Sequence, residues 1–368
     1  MAPLTGVRVV EMEAIGPLLH AGMLLADLGA DVVRVVRPSR DDAPDGADAA
    51  TDAMRRGRRV VTADLRDPAD RDRVLDLVAG ADVVLEGFRP GTMERLGLGP
   101  DDCRDRNRRL VYGRMTGWGQ EGPLASSAGH DINYLAVAGA LEPMGPADAP
   151  PLPPLNYVGN FGGGSMVLVL GVVSALLERE RTGSGQVVDA AMVDGAGSLT
   201  SLLRSWSHAG RWSDERGTNV LDGSAPFYRS YACADGRFVA VGALEPVFYD
   251  AFVRGLGLDP DGYGAQWDRE SWPALTAAIT GRMATRSRDE WVAAFAGVDA
   301  CLTPVLTLEE APRHEQARAR GAFTEVGGVT LPSPAPRFSA HDLAAAPPAR
   351  AVALDDAVST WAGREVGV

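Results

Sequence analysis

Alternation of short apolar runs with helix-patterned segments is the feature that most constrains the fold of this chain. Residues 7–12 have the pattern of a buried strand, residues 17–28 have helical spacing, and residues 31–36 form a β-branched run. This β-α-β order is typical of a parallel sheet that is covered by helices. Further strands at 59–65, 82–88, 110–116 and 186–190 and a helix at 68–78 continue the pattern. We therefore predict an α/β fold with a doubly wound parallel sheet.

The composition changes after about residue 211, which suggests a second domain. Helices are predicted at 130–142, 162–181, 192–207, 246–255, 271–283 and 287–296, a hairpin at 225–244, an exposed loop at 41–52 and a proline-rich connector at 143–154. We expect a Rossmann-like larger domain at 1–210, a smaller α+β domain at 211–330 and a return of the chain across the surface of the first domain at 331–368.

The composition argues against several classes of function. The formal net charge of −13 disfavours binding to nucleic acid. The sequence contains no lysine, so a Schiff-base or P-loop lysine is excluded and phosphate recognition is left to arginine. Cys103, Cys233 and Cys301 lack metal-ligand spacing, so we expect no metal site and a reduced, cytoplasmic protein. The longest apolar run, at 166–177, is shorter than the roughly 20 residues that span a bilayer.

A histidine stands where one of these helices is expected to begin. Small residues at 126–129 allow close approach of the backbone to a ligand, and Asp131 and Asn133 suit the first turn of a helix. Unpaired amides in such a turn stabilise an oxyanion, and the imidazole of His130 can take a proton beside them. A lone histidine is more often structural, and that alternative stays open.

A second loop-to-helix junction, the glycine-rich run 158–165, serves either to bind a ligand or to pack helices tightly. Within it, Asn160 can hydrogen-bond a ligand or cap a helix, but its amide cannot act as a general base near neutral pH. Glu245 lies at a strand-to-helix junction in the second domain. It either complements the helix dipole or orients an imidazole across a domain or subunit interface.

Arginines lie near several predicted strand ends of this acidic chain. Those of interest as ligands are Arg34, Arg37, Arg40, Arg55, Arg56, Arg58, Arg59 and Arg89. Arg37 and Arg89 each follow a strand, at the ligand-facing end of a doubly wound sheet. They favour a phosphate-bearing ligand, whereas the lack of Gly-x-Gly-x-x-Gly after the first strand argues against a nicotinamide dinucleotide.

Several motifs together resemble the class III CoA-transferase superfamily, and within it the α-methylacyl-CoA racemase group. They lie at residues 25–33, 59–65, 86–91, 115–120, 129–134, 159–165, 185–190 and 300–305. The similarity extends from residue 4 to about residue 338. The resemblance implies a Rossmann-like large domain, a smaller α+β domain and an interlocked homodimer.

The resemblance also implies roles for individual residues. His130 corresponds to the histidine that removes or returns the α-proton, Glu245 to its carboxylate neighbour, and Asn160 to an aspartate that acts on the opposite face. The CoA thioester is then a substrate and not a cofactor, and no membrane, metal or nucleic acid is implied. Positions matching its binding site are Arg37, Thr62, Ala63, Asp64, Leu65, Arg89, Gly129, Asp131 and Asn133.

Asn160 departs from the family pattern, which has aspartate at this position. Loss of one acid/base group typically lowers a rate by about 10²–10⁴-fold. We predict a racemase-like isomerase that forms an enolate from 2-methylacyl-CoA thioesters at His130, slowed by this change. The alternatives are a one-base acyl-CoA enolate enzyme for isomerisation, elimination or decarboxylation, a CoA-transferase, and a non-catalytic acyl-CoA binder.

Overall fold

The computed structural model describes residues 1–38 and 53–362, which fold as two compact units. The larger unit consists of Met1–Gly139, Pro154–Thr200 and the chain from Glu315, and the smaller unit of Ala140–Pro153 and Ser201–His314. Residues 201–210 therefore belong to the smaller unit and residues 315–330 to the larger one, where the sequence suggested the reverse. Arg40 and the loop predicted at 41–52 lie outside the described residues.

Six parallel strands form the centre of the larger unit. They are β1 (Arg8–Met12), β2 (Asp31–Val36), β3 (Arg58–Thr62), β4 (Val83–Glu86), β5 (Val111–Thr116) and β6 (Val187–Ala191). Their order is β3-β2-β1-β4-β5-β6, with Val9 of β1 opposite Val32 of β2 and Val83 of β4. This is the strand order of a doubly wound Rossmann-type sheet, and the predicted fold class is confirmed. The order reverses between β1 and β4.

Helices on both faces explain why the strands are nearly continuous apolar runs. The first four helices are α1 (Pro17–Asp27), α2 (Pro68–Ala79), α3 (Thr92–Arg95) and α4 (Pro100–Arg106). Proline suits the first position of a helix because its amide would have no acceptor there. Asp67 caps α2 by accepting the amide of Ala69 at 2.8 Å. One core cluster contains Val74 of α2, and the cluster on the opposite face contains Leu25 of α1.

Three elements connect β5 to β6. They are α5 (Asp131–Ala138), a π-type turn (Tyr157–Ser165) and α6 (Met166–Thr182). Helix α5 ends four residues before the predicted boundary, because Gly139 adopts the left-handed conformation at φ 75°. The stretch Tyr157–Thr182 has 26 residues and is long and apolar enough to cross a membrane by length and composition. In this fold its Leu168 and Val172 are fully buried, so one face of the helix packs in the core of the larger unit.

The smaller unit combines a three-stranded antiparallel sheet with helices. After β6, the single helix predicted at 192–207 is divided into α7 (Met192–Leu199) and α8 (Ser201–His208), and the division between the units falls at this break. The sheet contains β7 (Tyr228–Ala232), β8 (Phe238–Gly242) and β9 (Leu302–Pro304), and the helices are α9 (Pro246–Gly255), α10 (Trp272–Met283) and α11 (Arg288–Ala294). Phe227, Phe252 and Ile279 form its fully buried centre.

The end of the chain returns to the larger unit and enters its core. It forms α12 (Glu315–Ala319), the hairpin β10 (Phe323–Val326) and β11 (Val329–Pro332), β12 (Arg350–Ala351) and α13 (Leu354–Ala362). Strand β12 pairs with β3 as the seventh parallel strand. The expected path across the surface is wrong for α13, because Trp361 is only 2% exposed and donates to Asp31 Oδ2 at 2.8 Å.

Candidate functional site

A cleft of about 1420 Å³ lies in the larger unit, beside the loops that follow β1 to β5. The start of α5 and the π-type turn complete its walls. Its lining includes residues 13–19, 34–38, 63–66, 87–90 and 115–118, together with His130 and Asn160. In open α/β sheets, ligands bind at the carboxyl ends of the strands near the reversal of strand order. The position of this cleft in the fold therefore marks it as the candidate site.

His130 immediately precedes the first helical residue of α5, at the junction that the sequence predicted. Its amide donates to Asn133 Oδ1 at 3.0 Å, and the amide of Asn133 donates to the carbonyl of His130 at 2.8 Å. This reciprocal cap fixes the backbone of His130, whose exposed side chain lines the cleft. Within residues 1–38 and 53–362, the amides of Asp131 and Ile132 donate to no acceptor, so two oxyanion donors remain at the start of the helix.

Tyr134 holds the peptide that precedes His130. Its hydroxyl donates to the carbonyl of Gly129, and its ring contacts Trp118 edge-on at 4.9 Å between centroids. A Cβ on Gly117 would overlap the phenol ring, and one on Gly129 would lie 2.8 Å from its Cε1. Both glycines are therefore needed for the ring to pack directly against the His130 loop.

Asp131 connects the two loop-to-helix junctions. Its Oδ1 accepts the backbone amide of Asn160 at 2.6 Å, and a Cβ on Gly159 would lie 2.6 Å from the same oxygen. Because Asp131 directly follows His130, this bond ties the backbone of the Asn160 turn to the start of α5. Asp131 is 3% exposed, so its side chain is directed into the protein. Two buried oxygens, Asp131 Oδ2 and Asn160 Oδ1, accept no hydrogen bond from the described residues.

Buried ion pairs shape the loop that follows β1. Glu11 is fully buried and pairs with Arg34 and with Arg58, whose Nε lies 3.1 Å from Glu11 Oε2. Arg34 also donates to the carbonyl of Ala14 at 2.9 Å, in the loop that lines the cleft. Buried charges of this kind persist when each is paired and hydrogen-bonded. The network therefore links the core of the sheet to the wall of the site.

Glu86 supports the loop after β4 in a similar way. Its Oε2 accepts the amide of Phe88 at 2.8 Å, and its Oε1 accepts Arg114 Nε at 2.8 Å. Burial raises the pKa of the Glu86 carboxyl, and the bonds from Phe88 and Arg114 oppose that shift. Arg89 follows directly in this loop and lines the cleft.

Four of these arginines form internal ion pairs, and one of the four, Arg34, also borders the cleft, which corrects their common interpretation as candidate ligands. Arg34 and Arg58 pair with Glu11, Arg56 pairs with Asp27, and Arg59 pairs with Asp31. These four side chains stabilise the fold. Arg37 and Arg89 are exposed and line the cleft, and the amide of Arg37 donates to Glu13 Oε2 at 3.1 Å. Exposed guanidinium groups at a cleft mouth suit bidentate contact with phosphate.

Only some of the remaining residues that were predicted to contact CoA line the cleft. Ala63, Asp64, Leu65 and Gly129 line the cleft with Arg37 and Arg89. Strand β3 ends at Thr62, three residues before the predicted end, so residues 63–65 form a loop. Thr62 is not among the lining residues. The Asn133 side chain accepts the amide of His130, and the Asp131 side chain is buried, so both serve the geometry of the α5 start.

Glu245 lies in the smaller unit, at the residue before α9, and its carboxylate is exposed. Its side chain makes no capping hydrogen bond to that helix within the described ranges. The pairing of Glu245 with His130 stays a prediction. A separate cavity of about 710 Å³ lies in the same unit along β7, β8 and β9, where Tyr228, Arg229 and Cys301 line it.

The residues that hold the cleft loops were not predicted from the sequence. These are Glu11, Glu86, Arg114 and Tyr134, together with His20 beneath the π-type turn. A usable signal existed, because a charged residue inside an otherwise apolar buried strand requires an internal counter-ion. Glu11, Arg34 and Glu86 all occupy such positions.

Comparison with known proteins identifies the family. A sequence model described as CoA-transferase family III matches residues 4–351. The chain belongs to this family. The expectation drawn from the motifs is therefore confirmed.

Curated relatives and solved structures agree with this assignment. The α-methylacyl-CoA racemase of Mus musculus is 44% identical over 90% of this chain and 85% of its own length, and that of Homo sapiens is 43% identical over 90% and 86%. A crystal structure of a CAIB/BAIF family protein from Brucella suis matches with a TM-score of 0.82 at 27% identity and covers 98% of this chain and 99% of that one. Rv3272 from M. tuberculosis matches with a TM-score of 0.77 at 29% identity, over 95% and 97% of the two chains.

Proposed function

We propose that the chain is a racemase-like isomerase acting on 2-methyl-branched acyl-CoA thioesters. The observation that carries the proposal is the junction at α5, where an exposed imidazole at the cleft is followed by two helix amides that have no acceptor among the described residues, and Asp131 ties that junction to Asn160. The 43% and 44% identity to two α-methylacyl-CoA racemases supports the same substrate class.

The residues present support a one-base enolate mechanism. His130 takes the proton from the carbon beside the thioester, and the electrons of the broken C–H bond move to the thioester oxygen to form an enolate. The amides of Asp131 and Ile132 stabilise the developing oxyanion. The imidazolium then returns the proton to the same face of the carbon, which gives exchange without inversion, and inversion requires a slower proton transfer from solvent on the opposite face. Asn160 faces the same cleft as a hydrogen-bonding amide and cannot deliver a proton from the second face.

Deuterium exchange tests this mechanism directly. The chain is incubated in deuterated water with each enantiomer of a 2-methylacyl-CoA, and exchange at the α-carbon and inversion are measured separately. We expect exchange from one enantiomer and slow inversion. In Asn160→Asp, we expect inversion to rise by about 10²–10⁴-fold, because a second acid/base group is restored. Loss of all exchange in His130→Asn is the matched control.

Other results of this deuterium-exchange experiment would point to the alternative functions. Binding of acyl-CoA without exchange from either enantiomer would contradict the proposal and support a binding protein. Transfer of the acyl group to a second acid would support a CoA-transferase. Rapid inversion by the unaltered chain would show that a group other than Asn160 supplies the second proton.

We further propose that the active form is a homodimer. Helix α6 exposes Met166 by 54%, Leu170 by 68%, Val173 by 37% and Leu177 by 68%, at helical spacing along one face. A continuous exposed apolar row of this kind is typical of an interface. Leu170→Glu should reduce the mass in solution to that of one chain, as measured by light scattering, whereas an unchanged mass would exclude this face.

The homodimer gives Glu245 a route to His130 of a second chain. Mixing His130→Asn and Glu245→Gln chains tests this proposal, because each mixed dimer contains one site with both native residues. We expect activity to reappear on mixing. Activity that stays absent in verified mixed dimers would contradict pairing between chains.

A further inference from the structure

His20 of α1 lies beneath the π-type turn that carries Asn160, and the proposed reaction gives it no role. Its Nδ1 lies 2.6 Å from the hydroxyl oxygen of Ser165, which is fully buried. Its ring lies 4.7 Å from that of Phe161, between centroids. Both contacts are made to residues of the same turn, so His20 packs against the turn from Phe161 to Ser165.

The available protons determine which atom is the donor in the hydrogen bond between His20 and Ser165. The Ser165 hydroxyl has one proton and donates it to the carbonyl of Phe161 at 3.0 Å. A carbonyl can only accept, so the proton between His20 and Ser165 must come from His20 Nδ1. This bond requires the Nδ1–H form of the ring, in which Nδ1 donates to Ser165.

The electrostatic surroundings favour the neutral ring. Burial lowers the pKa of His20, the neighbouring Arg56 and Arg58 lower it further, and Asp27 opposes them. The neutral Nδ1–H ring therefore prevails near pH 7. Ser165 and Phe161, the two residues that His20 contacts from the turn, carry no charge.

The turn needs such a contact because of its composition. Gly162, Gly163 and Gly164 provide no side chains that could fix its conformation. On one side, Asp131 holds the amide of Asn160 at 2.6 Å. On the other side, the contacts of His20 begin at Phe161, the next residue. Asn160 therefore lies between an anchor from α5 and an anchor from α1.

We infer that His20 is a positioning residue, which donates from Nδ1 to Ser165 and so fixes the turn that presents residue 160 to the substrate. The inference deepens the proposed function and rests on it for the effect on turnover. The hydrogen bond itself can be tested without any reaction.

The first test uses the chain labelled with ¹⁵N-histidine and needs no substrate. We expect His20 to show the Nδ1–H tautomer with a slowly exchanging Hδ1, and Ser165→Ala to remove this protection. Ser165→Cys, which keeps an acceptor, is the matched control and should retain more protection. An Nε2–H tautomer, or an Hδ1 that is equally protected in Ser165→Ala, would overturn the inference.

The second test uses the Asn160→Asp background, where each face of the α-carbon exchanges through its own base. His20→Phe keeps an aromatic ring beside Phe161 but removes the donor. We expect exchange on the face of residue 160 to fall by about 10-fold or more, with less than about 3-fold change on the His130 face. His20→Asn, which restores a short donor, should recover part of the loss.

Equal changes on the two faces would show a general structural role and would overturn the inference. Failure of the proposed function gives a different result. In that case Asn160→Asp alone produces no exchange on the second face, and the labelled histidine still decides whether His20 donates to Ser165.

Discussion

Gly22→Ala should break the buried ion network beneath the cleft. Gly22 lies within α1, where a new Cβ would be 2.7 Å from Arg58 Nη2, 2.9 Å from Glu11 Cδ and closer still to Glu11 Oε2. Neither charged side chain has free space, because Glu11 is 0% and Arg58 1% exposed. The methyl group must therefore displace the carboxylate from Arg58, from Arg34, or from both.

The expected loss of stability follows from two opposing terms. Breaking a buried pair costs about 3–5 kcal/mol, since it leaves an uncompensated charge inside the protein. Replacing glycine by alanine inside a helix returns up to about 1 kcal/mol. We therefore expect the free energy of unfolding of the larger unit to fall by about 2–4 kcal/mol.

Hydrogen exchange of the β1, β2 and β3 amides measures this loss within the larger unit, and urea unfolding measures it for the whole chain. The matched control is Gly281→Ala in α10, where a Cβ meets nothing within 4 Å and no loss is expected. If Gly22→Ala and Gly281→Ala had the same free energy of unfolding, the Glu11 network would contribute little to stability. That result would refute the reasoning.

Two further substitutions test contacts in the two units. Tyr134→Phe removes the hydrogen bond to the Gly129 carbonyl. We therefore expect slower deuterium exchange at the substrate α-carbon on the His130 face, and a free energy of unfolding that is lower by about 0.5–1.5 kcal/mol. An unchanged rate of this α-carbon exchange would contradict the role of Tyr134. In the smaller unit, Arg288 lowers the pKa of Glu310 from 4.5 to about 2, so the carboxylate stabilises the fold above pH 4.5 and this contribution is lost as the pH falls towards 2. The difference in unfolding free energy between the unaltered chain and Glu310→Gln should shrink over that interval, and a difference independent of pH would exclude the ion pair as its cause.

The order of elements in the larger unit was predictable because its signals are local. Strands β1 and β2 and helix α1 differ by at most one residue at each end from the ranges that periodicity indicated. The hairpin at Tyr228–Gly242 was likewise predictable from its turn residues. Burial of α13 was not predictable, because it packs against α2 and β3, which lie far earlier in the chain, and this leaves no local pattern.

The candidate site was predictable where function imposes a residue type. His130 and Asn160 could be singled out because each follows small or glycine residues at the start of a helix. The contacts that support them were not identified, because bonds such as that donated by the Asn160 amide to Asp131 join residues 29 apart in the sequence. Such bonds depend on the tertiary arrangement of α5 and the π-type turn. Arg34 and Arg58 were interpreted as candidate ligands because their acidic partner, Glu11, comes from another strand.

The return of the chain to β3 has a consequence for biosynthesis. Strands β1 to β3 lack the edge neighbour β12 and the Trp361 side chain until residues 350–361 have been made. The smaller unit is nearly continuous, at Ser201–His314, and emerges in full before those elements. We expect it to reach its native form first, while the strands of the larger unit remain incomplete until β12 and α13 have been made. Translation that stops before β12 should release a chain with one folded unit and an exposed, aggregation-prone sheet.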